Sequence, residues 1–223
     1  RYPEFRRLKA VFRSTGIDRR WSVVPFDWFA EPHGWPDRNQ VFLDNAEELF
    51  AAAAARALAA ANVEAGEVDA VVTVSSTGIA TPSLEARCLA RLGFRHDILR
   101  APLFGLGCAG GVSGLAIARE LAAARPGSRV LVVAVETCTL LFRMDRMDKA
   151  DIIATALFGD GAAAVARGIG GRLVGGGVDD RLRGGADVAH RFALGSPSPA
   201  VAIMSRITSL TPPPKVITTF LFS

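Results

Sequence analysis

A cysteine set in a glycine-rich turn is the most reactive feature of this sequence: Gly105-Leu106-Gly107-Cys108-Ala109-Gly110-Gly111. The residues before it, Ile98 to Phe104, read as extended. Those after it, Ala109 to Ala124, are helix formers that stop at Pro126-Gly127. Cys108 therefore falls near a helix N-terminus. Unpaired backbone N–H groups and the helix macrodipole favour an anion there, and so the thiolate, the nucleophilic form of the side chain. Small neighbours let a substrate carbonyl approach closely, and they can leave backbone N–H groups free to hold an oxyanion. Spacing alone also permits a plainer reading, in which Cys108 is a small buried residue in a tight turn. A phosphate cradle fits less well, because the Lys-Ser/Thr of a P-loop is missing and the glycines are not spaced as in a dinucleotide fingerprint.

The other reactive side chains offer less. Three cysteines, at 88, 108 and 138, are too few and too far apart for a disulfide framework, and no Cys/His cluster has zinc spacing. No metal and no bound cofactor are expected. His33 lies between Pro32 and Gly34, and His96 stands beside Asp97; neither pattern marks a general base. The 26 Lys+Arg against 22 Asp+Glu leave a formal charge of +4. Residues 169–223 hold 6 Lys/Arg and 3 Asp/Glu of these, so the excess belongs to the C-terminal stretch and not to a basic face that would bind nucleic acid. No apolar run reaches the length of a membrane span, and no secretory pattern opens the chain, so a reducing cytoplasm is the expected compartment.

The elements that must position Cys108 can be read around it. Residues 1–40 mix Trp21, Phe26, Trp28, Phe29 and Trp35 with prolines and read as a packed irregular segment. Asp44 followed by Glu47 resembles a capping box, so a helix is expected from near residue 45 through Ala61, stopped by Asn62 and Gly66. Asp69 to Val74 is a β-branched run apolar enough to be covered on both faces, which implies a parallel sheet. Thr81-Pro82 is expected to start a second helix that Gly93 stops. Arg129 to Val135 reads as a strand, Lys149 to Phe158 as a helix and Ala162 to Ala166 as a strand. This alternation is the pattern of an α/β fold. After Gly168 come glycine pairs, a glycine triplet, Ser196-Pro197-Ser198-Pro199 and Pro212-Pro213-Pro214, which predict a disordered tail over 169–223.

Four stretches, in this order, carry a family likeness: Phe12 to Arg20, Ser75 to Ser83, Gly105 to Gly111, and Leu157 to Val165. Together they resemble the chalcone synthase-like, or type III polyketide synthase, family in its bacterial form, nearly without gaps through residues 1–168. The resemblance implies a thiolase-like fold, with 1–168 as the N-terminal half of its αβαβα architecture, and a homodimer. Cys108 matches the cysteine that takes an acyl starter from coenzyme A. In the family that thioester is extended by carbanions from decarboxylated malonyl-CoA, and the chain is then cyclised. Phe158 matches the gatekeeper between the coenzyme A tunnel and the cavity, although composition alone would make it a core aromatic. Ser76, Thr77, Cys138 and Leu141 match cavity-lining positions, with an inert buried thiol as the plainer reading of Cys138. Arg19 and Arg20 resemble basic residues at the coenzyme A entrance, where solvated surface arginines are the ordinary alternative. Cys88 matches no functional position and is expected to be structural. Thr81 stands where plant relatives place a methionine that reaches into the partner's cavity.

The sequence also departs from the family. There, a histidine and an asparagine from the C-terminal half activate the thiol, assist decarboxylation and bind the thioester oxygen. His190 lacks the Pro-Gly-Gly-like turn that follows that histidine, and no asparagine follows Cys108. A first strand before residue 1 is not matched, and from about residue 169 the likeness stops, as truncation or a mis-framed reading would produce. Weak or no synthase turnover is the expectation for these residues alone. A carrier-protein-dependent ketoacyl synthase and a non-catalytic interaction fragment are the alternative readings.

Overall fold

The computed structural model describes residues 10–17, 19–143, 148–167, 173–176 and 190–192. The longest element is the alanine-rich helix α1 (Trp35–Ala61). Its apolar side is built largely from small residues, and Ala46, Ala53, Ala54 and Ala57 are fully buried beside Phe42 and Phe50. It starts well before the expected residue 45. Gly34 precedes it in an extended conformation, Pro36 occupies the first turn, and the Gly34 N–H donates to the Asp37 carboxylate at 3.4 Å. Asp44 and Glu47 lie inside the helix, where Asp44 accepts from Gln40 at 2.8 Å and Glu47 pairs with Arg87. The end falls where the sequence placed it, with Asn62 left-handed at φ 53°.

Six strands form one sheet in the order β2-β1-β3-β4-β5-β6: β1 (Ala70–Ser75), β2 (Leu99–Phe104), β3 (Val130–Thr137), β4 (Asp160–Arg167), β5 (Leu173–Gly176) and β6 (His190–Phe192). β1 runs parallel to both β2 and β3. β4 is antiparallel to β3, so the sheet is mixed and not wholly parallel as expected. Apolar β-branched runs report burial but not direction. Here Asp160, hydrogen-bonded to Thr139, starts β4 beside the end of β3, opposite Thr137. β5 and β6 continue the sheet from within 169–223, where glycine runs had indicated no element. The remainder of that predicted tail lies outside the described residues.

Helices cover both faces. α1 and α2 (Leu84–Leu92) share one cluster with Val71, Leu131, Val133 and Val135. Ser83 precedes α2, so the helix begins after Pro82, whose peptide bond with Thr81 is cis. Gly93 stops it at φ 79°. On the opposite face α3 (Gly110–Ala124) packs over Ala70, Val72, Val130 and Val132. The contact is close because Gly110, Gly114, Ala118 and Ala122, at four-residue spacing, are the buried positions of α3. A Cβ on Gly114 would lie 2.8 Å from Val74 Cγ2, and one on Gly110 would lie 2.6 Å from Val74 Cγ1. α4 (Lys149–Leu157) is capped by Asp148, which accepts from the Asp151 N–H at 2.9 Å. No described helix is long and apolar enough to cross a membrane.

Alanine in place of a helical glycine ordinarily stabilises by about 1 kcal/mol. At Gly114 the new methyl meets a stiff β-branched side chain on a packed strand. Overpacking outweighs propensity, and Gly114→Ala is expected to lose about 1–3 kcal/mol in urea unfolding followed by circular dichroism. A stabilised variant would contradict the close approach of α3.

Candidate functional site

The parallel strands β2, β1 and β3 end at one edge of the sheet, and β4 starts there. Open α/β sheets bind their ligands beyond such strand ends. The candidate residues are strung along this edge. Ser76 and Thr77 follow β1, Cys108 lies in a 3-10 turn (Gly107–Ala109) after β2, Cys138 and Leu141 bound another (Cys138–Leu141) after β3, and Phe158 ends α4 just before β4.

Cys108 is half-buried on the turn that runs directly into α3. Gly105 (φ 79°) and Gly107 (φ 51°) adopt left-handed conformations, which only glycine takes without strain. The Gly107 N–H donates to Ser76 Oγ at 3.0 Å and ties the cysteine's turn to the end of β1. The Ala109 N–H donates to Leu106 O at 3.2 Å, and the Gly110 N–H to Gly107 O. Those three backbone donors are therefore engaged, two within the turn and one on Ser76, a difference from the free N–H groups expected there.

Thr77 is buried, and its hydroxyl works in both directions: it donates to Glu136 Oε2 at 2.7 Å and accepts from the Thr137 N–H at 2.8 Å. Ser76 is the more open of the pair, and its N–H donates to both carboxylate oxygens of Glu136 at 3.0 Å. Sequence reading passed over Glu136. Burial pushes its carboxyl up from the usual range, against the pull of the Ser76 and Thr77 donors. The available signal was a single acid closing the apolar run of β3.

Asp160 was also missed, though it lies between Gly159 and Gly161 within the stretch Leu157 to Val165. It has no exposed surface. Its carboxylate accepts from the Thr139 N–H at 2.7 Å, Thr139 Oγ1 at 2.5 Å and the Val23 N–H at 2.8 Å, while its own N–H donates to Trp21 O at 2.9 Å. Burial pushes its carboxyl up to about 6. These bonds join residues 21–24, the 138–141 turn and β4.

Cys138 is half-buried; burial first, then the nearby carboxylates of Glu136 and Asp160 and the Cys108 thiol, push its thiol well up, so it is held neutral. Cys88 is a core residue on α2 whose thiol is pushed up to about 11, chiefly by burial, and donates to Glu47 O at 3.7 Å. Leu141 stands at the surface, 47% exposed, and Phe158 is half-buried with its N–H on Ala154 O at 2.9 Å. The two arginines part company. Arg19 is exposed, whereas Arg20 turns inward to donate to Thr15 Oγ1 at 3.0 Å, Ile17 O at 3.3 Å and the carbonyl of Ala156, with its guanidinium over Phe12. Burial lowers the Arg20 pKa from the usual arginine value. Arg20 thus braces the N-terminal segment against α4, two residues before Phe158.

Residues 33–171 match the family model described as chalcone and stilbene synthases, N-terminal domain. The 1,3,6,8-tetrahydroxynaphthalene synthase of Streptomyces peucetius subsp. caesius is 38% identical over 162 residues, covering 72% of this chain and 43% of that protein. The synthase of the same name from Streptomyces coelicolor is 34% identical over 171 residues, covering 76% and 46%. The crystal structure of the Streptomyces coelicolor A3(2) enzyme, a bacterial type III polyketide synthase, superposes with a TM-score of 0.73 at 33% identity, covering 78% of this chain and 50% of that one. The chain spans about half the length of the curated relatives it matches. The expected thiolase-like α/β fold and the expected bacterial kinship are both borne out.

The Asp160 carboxyl generates a pH prediction. Its folded value, about 6, lies above the ordinary aspartate value of 3.8, so the stability it contributes is full only below that ordinary value and is lost as pH rises through about 6. The stability difference between the parent and Asp160→Asn is therefore expected to fall by about 2 kcal/mol from pH 4 to pH 7, read by urea unfolding at both values. A pH-independent difference would show that this carboxyl titrates alike in the folded and unfolded chains.

Proposed function

This chain belongs to the chalcone and stilbene synthase family, whose bacterial members include type III polyketide synthases, and from that premise we propose that Cys108 accepts an acyl group from a coenzyme A thioester. The observation that carries the reading is the seat of Cys108, on a turn at the head of α3, beyond the ends of the parallel strands and pinned to Ser76. In the proposed step the Cys108 sulfur attacks the thioester carbonyl, the bond from sulfur to acyl carbon forms, and the bond to the coenzyme A sulfur breaks. The proton leaves Cys108, and coenzyme A departs as its thiol. A thiol suits this exchange because it attacks thioesters well and leaves well.

Around that step, Ser76, Thr77, Cys138 and Leu141 form the wall against which the acyl chain lies, and Phe158 separates it from the coenzyme A path. Arg19, the exposed arginine of its pair, is the better placed to meet coenzyme A phosphates; Arg20 is committed to bracing. Extension by decarboxylative condensation with malonyl-CoA is the family reaction to which this step leads. The histidine and asparagine that serve it have no counterpart in these 223 residues, so acyl transfer is the step proposed for them alone. A second copy of the chain is the protein partner this reading implies, and exposed Phe104 and Leu106, at and just beyond the end of the edge strand β2, favour it.

The test is intact-mass analysis after incubation with acetyl-, hexanoyl- and decanoyl-CoA. One acyl group per chain is expected on the Cys108 peptide, with free coenzyme A released, and none with Cys108→Ala. An adduct elsewhere, or no adduct in the parent, would overturn the assignment.

A further inference from the structure

We propose that Arg38 is a positioning residue that sets the shape of the acyl-binding wall by holding the Cys138–Leu141 turn through its backbone carbonyls; this rests on the reading of Cys138 and Leu141 as that wall. Arg38 lies in the first turns of α1, yet its guanidinium reaches a segment more than 100 residues further along the chain. Nη1 donates to Leu140 O and, at 3.0 Å, to Phe142 O. The two carbonyls belong to the residues on either side of Leu141, so the 140–141 and 142–143 peptide units are both held. The turn is secured again at Thr139, where Asp160 receives both the N–H and the hydroxyl. Cys138 and Leu141 thus belong to a short turn restrained from both sides, by an acid from β4 and a base from α1.

Arg38 is itself locked. Its Nε donates to His33 O at 2.9 Å, and its guanidinium lies 5.3 Å over the Trp28 ring. Trp28 stacks on the His33 ring at 3.9 Å with planes 4° apart, and His33 Nε2 lies 2.9 Å from Trp28 O. Phe29 packs edge-on to Trp28 at 5.3 Å and extends the aromatic group to Phe142 at 6.4 Å. This is a use for the aromatic, proline-broken segment beyond filling space. It presents a planar fork whose separate donors meet His33 O on one side and the turn on the other. Lysine, a single point charge on a flexible stem, cannot make both connections.

The test uses the full chain with Arg38→Gln and Arg38→Lys. Peptide-resolved labelling with N-ethylmaleimide under native conditions reports the turn through Cys138 and the core through Cys88, which is 1% exposed. In Arg38→Gln, Cys138 labelling is expected to accelerate about tenfold, as when a local opening loses a charge-assisted hydrogen bond, while Cys88 stays protected. Arg38→Lys is expected to fall between. Acylation of Cys108 by acetyl-, hexanoyl- and decanoyl-CoA is expected to shift in ratio among the three, and not merely in rate. Unchanged Cys138 labelling, or equal acceleration at Cys88, overturns the proposal, and so does an altered Cys138 with an unaltered chain-length ratio. Failure of the parent to be acylated overturns the acyl-transfer reading instead, and Cys138 labelling then still decides whether Arg38 holds the turn.

Discussion

The architecture depends on a carboxylate that water does not reach. Asp160 gathers three donors from two segments, residues 21–24 and the 138–141 turn, and fixes the first residue of β4 beside them. Moving a charge out of water is costly, and the cost is tolerable only when donors replace the lost hydration or the group takes up a proton. Asp160 does some of each: donors surround it, and burial still raises its affinity for a proton. This junction joins the start of β4, the turn that carries Cys138 and residues 21–24, just after Phe158 and Gly159 leave α4.

Glu136 repeats the arrangement one strand away. It takes the N–H of Ser76 and the hydroxyl of Thr77, and Ser76 in turn receives the N–H of Gly107 beside Cys108. Buried acids therefore stand at the ends of two adjacent strands, each anchoring the loop of a neighbour. The faces of the sheet are sealed by apolar contacts, whereas its carboxyl edge is organised by charge and hydrogen bonds. Apolar packing is non-directional and fixes spacing between layers; hydrogen bonds fix angles. The acyl transfer proposed for Cys108, which aims a sulfur at a carbonyl, would draw on the edge where angles are fixed.

Much of this was legible in the sequence, and the exceptions have physical causes. The strand cores, the stop of α1 at Asn62 and the placement of Cys108 before α3 followed from local rules of burial, turn chemistry and helix ends. The start of α1 did not, because Trp35-Pro36 stands among aromatics and prolines that read as a loop, whereas Pro36 in the first turn and the Gly34 N–H on Asp37 make it a helix start. Strand direction was hidden, since an apolar run says nothing about which way its neighbour travels. Glu136 and Asp160 were hidden because their donors arrive from distant segments, which local spacing does not reveal. The same holds for Arg38, which reads as an ordinary charge near a helix start until residues 140 and 142 are brought beneath it.

The buried side of α1 has a consequence for the order of assembly. Alanine has almost no rotamer freedom to surrender on burial, so a helix that docks largely through alanines loses little side-chain entropy on docking. At 27 residues it is also longer than the length at which isolated helices become marginal, and its sequence favours helix locally. Helix–coil relaxation is complete within about a microsecond, well before strands separated by long crossovers find their register. By these measures α1 is the element expected to form ahead of the sheet that packs on it.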